Sequence, residues 1–188
     1  MLRFLPAPVR GVIALMLYTL NTVGCFIVMF PVILLKAVIP LDRARLFLTK
    51  VLMVLGMGWI HINSLILRLT QQIKWDVQGL SGLNPKASYL VISNHRSWAD
   101  ILVLQHLFKH RIPFLKFFLK KELIWVPFLG LAWWALEFPF MKRYSKEFIQ
   151  KHPELKGKDI ETTRTYCEKF KKSPISVINF LEGTRFNE

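Results

Sequence analysis

The sequence predicts an α/β domain, a mixed or mostly parallel sheet flanked by helices, preceded by an N-terminal membrane-embedded helical hairpin. Three observations predict it. Apolar residues gather at the front of the chain in two long uncharged runs. From Trp75 onward, short apolar runs alternate with amphipathic basic stretches, the pattern of strands interleaved with helices. A mean hydropathy of +0.34 also coexists with a net charge of +14, so apolar surface and charge must occupy different places. The 188 residues, 53% of them hydrophobic, suffice for about one domain with a real core, which excludes a disordered tail and a disulfide miniprotein.

The first run, Gly11 to Leu35, carries no charge and is long enough to span the hydrocarbon core of a bilayer. The second, Val51 to Leu67, is near the short limit and contains His61, Asn63 and Ser64. Two spans and a re-entrant or interfacial hairpin both fit the pair. Arg3 and Arg10 precede the first run, Lys36, Arg43, Arg45 and Lys50 separate the runs, and Arg68 and Lys74 follow. Positive charge on every flank gives no orientation. Zero or two crossings nevertheless return the rest of the chain to the side of its N-terminus, expected to be the cytoplasmic face of an inner or cytoplasmic membrane. Gly24-Cys25 has the outline of a lipoprotein processing site, but the apolar run continues for ten residues past Cys25, which suits an uncleaved anchor better. The expected organisation is residues 1–74 as the anchor and 75–188 as the soluble-like domain. Cys25 and Cys167 make neither a disulfide framework nor a metal-ligand spacing, and point to a reducing compartment.

Within the domain, Ser88 to Ser93 reads as a buried strand after the turn Gly82-Leu83-Asn84-Pro85, and Ser97 to Lys109 as a helix. Ile112 to Phe118 and Phe138 to Met141 are the next strands. Helices are expected over Glu122 to Leu136 and Asp159 to Lys171, the second preceded by the breakers His152-Pro153 and Gly157. The last strand is Ile175 to Leu181.

Chemistry begins where the first strand ends, at Asn94-His95-Arg96-Ser97-Trp98-Ala99-Asp100. On a continuous helix, five residues rotate two side chains apart by roughly 140°. His95 and Asp100 make sense as a pair only at a strand-to-helix turn, where the carboxylate reaches one imidazole nitrogen and the other acts as a base. Backbone N–H groups of the adjoining helix N-terminus could hold a phosphate or a developing oxyanion. The plainer reading is a capped helix, with Asn94 or Ser97 as cap, His95 an ordinary turn residue and Asp100 complementing the dipole. A second block shifts the balance. The last strand runs into Glu182-Gly183-Thr184-Arg185, which places an acid, a flexible turn, a hydroxyl and a guanidinium at a strand's C-terminal end, where open α/β sheets bind ligands.

Together these residues resemble the glycerolipid acyltransferase family, which includes lysophosphatidic acid acyltransferase (1-acylglycerol-3-phosphate O-acyltransferase). The Asn-His-x4-Asp block is matched at Asn94 to Asp100 and the Glu-Gly-Thr-Arg block at Glu182 to Arg185. Between them, Lys120 to Leu123, Pro127 to Gly130 and Phe140 to Arg143 resemble the family's intervening stretch in order, and the wording NHRSWADI with WVPFLGLA is similar to a bacterial inner-membrane branch. The resemblance implies acyl transfer from acyl-CoA or acyl-carrier protein to the free hydroxyl of a lysophospholipid, most directly lysophosphatidic acid. It implies His95 as general base and Asp100 as its orienting carboxylate. Arg143 and Arg185 would pair with the lysolipid phosphate, with Glu182, Gly183 and Thr184 shaping the acceptor site. No cofactor beyond the acyl donor and no metal is expected, and no covalent acyl-enzyme, since neither cysteine neighbours the His95 block. The family ordinarily continues well past this second block, so the C-terminal part of the domain is expected to be missing. The two-sided apolar character of Ile175 to Leu181 gives the same expectation.

The remaining histidines and cations have plainer readings. His106 and His110 could share a helix face, yet a zinc site needs a third ligand, so a solvated or phosphate-facing pair is expected. His61 reads as a polar residue near headgroup depth. Lys109, Arg111, Lys116, Lys120 and Lys121, interleaved with Phe114, Phe117 and Phe118, carry no nucleic-acid motif, and anionic membrane lipid is the nearer partner. Trp125, Trp133 and Trp134 suit the same interface, although most of these aromatics are expected to fill the core. The alternative to an enzyme is a membrane-associated basic module that binds anionic lipid without chemistry, an inactive truncated acyltransferase among its forms.

Overall fold

The computed structural model describes Leu2, residues 4–142 and 174–180, and isolated positions between 150 and 168. It opens with two long helices, α1 (Ala7–Val38) and α2 (Asp42–Thr70), joined by the three residues Ile39, Pro40 and Leu41. Both are long and apolar enough to cross a membrane. Pro8 in the first turn suits the start of α1, Asp42 complements the dipole at the start of α2, and Pro31 lies inside α1. A polar clamp ties the two together. Asn21 Nδ2 donates to Asn63 Oδ1 (2.8 Å) and to the Trp59 carbonyl (3.1 Å), and Trp59 Nε1 donates to Thr22 Oγ1 (3.2 Å).

The domain follows as β1 (Tyr89–Ser93), α3 (Ala99–Phe108), β2 (Leu115–Phe117), β3 (Leu119–Lys120), a 3-10 turn (Lys121–Trp125), α4 (Leu129–Ala135), β4 (Phe140–Met141) and β5 (Ser176–Phe180). Glu161, Thr163, Arg164, Tyr166 and Glu168 are helical, within the helix expected over Asp159 to Lys171. One sheet has the order β1-β5-β2 and the other pairs β3 with β4, all parallel. Parallel pairing brings Ser93, Phe117 and Phe180 to one edge, the C-terminal edge of the three-stranded sheet. The α/β class is as expected.

Two elements differ from expectation. The single strand over Ile112 to Phe118 is replaced by β2 and β3, which pair in different sheets. The helix over Glu122 to Leu136 is broken at Pro127-Phe128: proline drives Val126 to an extended conformation, and Phe128 turns the chain at φ +62° before α4 starts. Gly130 fits there because a Cβ would collide with the Ile124 carbonyl. β1, expected to be buried, leaves Leu90 and Ile92 exposed on one sheet face, where Asn179 of the central strand, paired with Ile92, is exposed as well.

The hairpin lies against the domain and shares its core. Met29, Ile33 and Leu52 pack in one cluster with Leu115, Phe117, Ala135, Leu136, Phe138 and Ile178. Gly56 lets α2 approach so closely that a Cβ would stand 3.1 Å from the Phe114 ring. Near the hairpin's bend, Lys36 is 3% exposed and its Nζ donates to the Ala135 carbonyl (2.7 Å) and to Glu137 Oε1 (3.0 Å). Thr49 Oγ1 donates to the same carboxylate oxygen (3.4 Å), and Lys116, 1% exposed, donates to the Glu137 carbonyl (3.3 Å). Lys36 and Lys116, read from sequence as flanking and surface cations, are therefore internal. A buried ammonium requires such partners, and they hold Glu137 at φ +60°.

Candidate active site at the β1–α3 turn

β1 ends at Ser93 on the C-terminal edge of the sheet, and the chain turns through Asn94 to Trp98 before α3 begins. This turn brings His95 and Asp100 together: His95 Nδ1 lies 3.2 Å from Asp100 Oδ2. The same oxygen accepts the backbone N–H of Arg96 (2.7 Å) and of Ser97 (2.8 Å). One carboxylate thereby ties the imidazole to the backbone of its own turn. Burial pushes the Asp100 carboxyl up, but the N–H groups of Ser97 and Arg96, then His95, outweigh it and hold the group below the ordinary carboxylate range. Asp100 is ionised at neutral pH.

The imidazole is held from a second side. Phe180, the last residue of β5, stacks on it with ring centroids 4.2 Å apart and planes at 22°. Phe180 stacks in turn on Phe117, and Phe117 on Phe138. Sequence reasoning did not single out Phe180. Its one signal is its place two residues before Glu182, at the end of the central strand.

Four backbone N–H groups at this helix N-terminus already have partners. The N–H groups of Arg96 and Ser97 are spent on Asp100, that of Ala99 donates to Ser97 Oγ (3.1 Å), and that of Asp100 to the Ser97 carbonyl (3.3 Å). Ser97 does cap the turn, and Asp100 does more than complement a dipole.

Beside the turn opens an apolar cavity of about 100 Å³. Trp98, Ile101 and Gln105 line it from one face of α3, Phe26 and Met29 from α1, and Phe128 from the start of α4. Gln105 Oε1 is buried there, with no hydrogen-bond partner among the described residues. The cavity lies between the hairpin and the domain, so neither forms it alone. Ligand pockets usually exceed about 300 Å³, and a long chain entering this one has to part its walls.

Arg143, Glu182, Gly183, Thr184 and Arg185 lie outside the described residues, as does Cys167. His106 and His110 do not share a ligand position. His106 stacks on Trp75 (5.1 Å, 20°), whereas His110 turns at φ +63° past the end of α3 and faces His61 (6.3 Å). Among the described residues no three His, Cys, Asp or Glu side chains cluster as metal ligands. Trp125 is exposed, while Trp133 lines the apolar cavity.

No curated protein and no solved structure matches the chain. A family model does: the one described as Acyltransferase covers residues 74–188, more than half of the sequence and all of the β1–α3 turn. The chain belongs to the Acyltransferase family.

Proposed function

We propose that the protein is a membrane-bound acyltransferase that moves a fatty acyl group from acyl-CoA or acyl-carrier protein to the free hydroxyl of a lysophospholipid, most directly lysophosphatidic acid. The observation that carries this reading is Asp100 Oδ2 joining His95 Nδ1 to two backbone N–H groups beside an apolar cavity. With Nδ1 turned to Asp100, Nε2 is the nitrogen that takes the acceptor's hydroxyl proton as the oxygen attacks the thioester carbonyl. The tetrahedral intermediate then collapses, the C–S bond breaks, and the imidazolium returns the proton to the departing thiolate. Asp100 orients the ring and balances its transient charge. No cofactor beyond the donor enters these steps.

Arg143 and Arg185 are assigned to the lysolipid phosphate, whose oxygens a guanidinium fork matches bidentately, and Glu182, Gly183 and Thr184 to the acceptor site. Support for the second assignment comes from chain order, since Glu182 is two residues beyond Phe180, which touches His95. In this reading residues 1–74 anchor the enzyme in an inner or cytoplasmic membrane and 75–188 work on its cytoplasmic side. Packing of α1 and α2 along the domain favours a hairpin embedded in one leaflet over two full crossings. The bacterial inner-membrane branch of the glycerolipid acyltransferases fits these features.

Thiol release from acyl-CoA or acyl-carrier protein by detergent-solubilised protein, with and without lysophosphatidic acid, tests the proposal beside His95→Ala. Acceptor-dependent release, lost by about 10² to 10⁴ in the variant with lipid binding retained, is expected. A variant that turns over like the parent would overturn the role of His95. No release from the parent with either donor would leave the lipid-binding module as the better reading.

A further inference from the structure

We propose that the groove at the C-terminal end of α3 binds the phosphate of an anionic membrane phospholipid, at a site separate from the β1–α3 turn. The groove has a volume of about 600 Å³ and is bounded by Arg68 in the last turn of α2, Trp75 of the linker, His106 of α3 and Arg111 just beyond it. α3 has ten residues, so its two ends stand about 15 Å apart.

Three features make this more than a basic surface. Among the described residues, Arg68, Lys109 and Arg111 make no ion pair with a carboxylate. His106 Nδ1 is buried without a hydrogen-bond partner there, while the ring is pinned flat against Trp75. Burial first, then Lys109, Arg68 and Arg111, hold His106 below its ordinary value, and burial followed by Arg68 does the same to Lys109. Cations at a helix C-terminus complement its dipole, which accounts for Lys109 and Arg111. The same rule accounts for Arg68 at the end of α2, but not for the convergence of cations from two helix ends on one groove. An anion seated between the two guanidiniums balances that convergence.

The surroundings identify the anion as a lipid headgroup rather than free phosphate. Leu65 and Leu69 of α2, and Ile73 and Val77 of the linker, are exposed around Arg68 and Trp75. Apolar side chains flanking a tryptophan and an arginine form the profile of a membrane interface, where the indole sits at headgroup depth. A phosphodiester in the groove leaves its acyl chains along these residues.

The test is titration of the full chain carrying His95→Ala, in neutral detergent, with dihexanoyl phosphatidylglycerol, dihexanoyl phosphatidylcholine and inorganic phosphate. Saturable phosphatidylglycerol binding is expected, at least about tenfold weaker after Arg68→Gln with Arg111→Gln and largely retained after Arg68→Lys with Arg111→Lys. Both arginines are exposed, so the fold should persist, and a shift of the His106 resonance on adding phosphatidylglycerol reads the site without any arginine substitution. Equal binding by the Gln variant, equal binding of phosphatidylcholine, or an unmoved His106 resonance would overturn the proposal. Inorganic phosphate binding as tightly as phosphatidylglycerol would also overturn it and assign the groove to the free ion. Binding is read without turnover, so the outcome stands apart from the fate of the acyl-transfer reading.

Discussion

A histidine stands near each end of α3, and the two are surrounded by opposite charge. His95, just before the helix, faces an ionised carboxylate that is itself held by two backbone N–H groups. His106, in the last turn, faces Lys109, Arg68 and Arg111 and has a buried nitrogen without a partner. The first arrangement fixes the ring against a negative charge, which suits the proton transfer proposed above. The second resists protonation and attracts an anion. The two histidines differ in the sign of the charge beside them, and burial adds to the effect of that charge at His106.

The largest test of this contrast is a matched pair of substitutions. Asp100→Asn is expected to lower acyl transfer by about 10² to 10⁴, whereas His106→Asn should leave the rate within about twofold. An equal loss in both, measured as thiol release, would erase the distinction. Asp100→Asn should also cost about 1.5–3 kcal/mol of stability in denaturant unfolding, because a charged acceptor of several hydrogen bonds is lost.

A middle-sized effect is expected at Phe180. Phe180→Ala frees the His95 ring without touching the proton path, so kcat should fall about tenfold with KM little changed. Phe180→Tyr, which keeps a ring in place, should restore most of it. A change confined to KM would place Phe180 in substrate binding instead.

The pH dependence follows from the depressed Asp100 carboxyl. Unfolded, an aspartate titrates near about 3.9; folded, Asp100 titrates lower. Its stabilising contribution is therefore complete above the unfolded value and is lost as pH falls through the folded one. Acid unfolding of Asp100→Asn should lack this component. The smallest effect is expected from Lys109→Gln, which removes one cation beside His106 and should let its pKa rise toward the ordinary 6.5 in NMR titration, while burial still holds it below.

The local parts of this picture were legible in the sequence. The five-residue separation of His95 and Asp100 already demanded a strand-to-helix turn, and β1, α3 and β5 lie inside the segments that periodicity marked. Contacts between distant positions were not. Phe180 meets His95 across 85 residues, and Lys36 meets Glu137 across 101, so no spacing announces either. Lys36 and Lys116 read as surface charge because a lysine in a basic stretch is usually solvated, and only the fold shows the carbonyls that receive them. The helix over Glu122 to Leu136 failed for a local reason that was present, Pro127, whose effect on the preceding residue outweighs the apolar pattern around it.

The shared walls of the apolar cavity have a consequence for how a fatty chain would arrive. Withdrawing about fifteen methylenes from a bilayer into water costs about 12 kcal/mol, at roughly 0.8 kcal/mol each. Phe26 and Met29 of α1 and Trp59 of α2 belong both to the cavity wall and to helices apolar enough to lie in lipid. A chain sliding between them would exchange one hydrocarbon environment for another and never meet that cost. Encounter would then be governed by lateral diffusion within a leaflet, and the rate should follow the mole fraction of substrate in the membrane rather than its concentration in the surrounding solution.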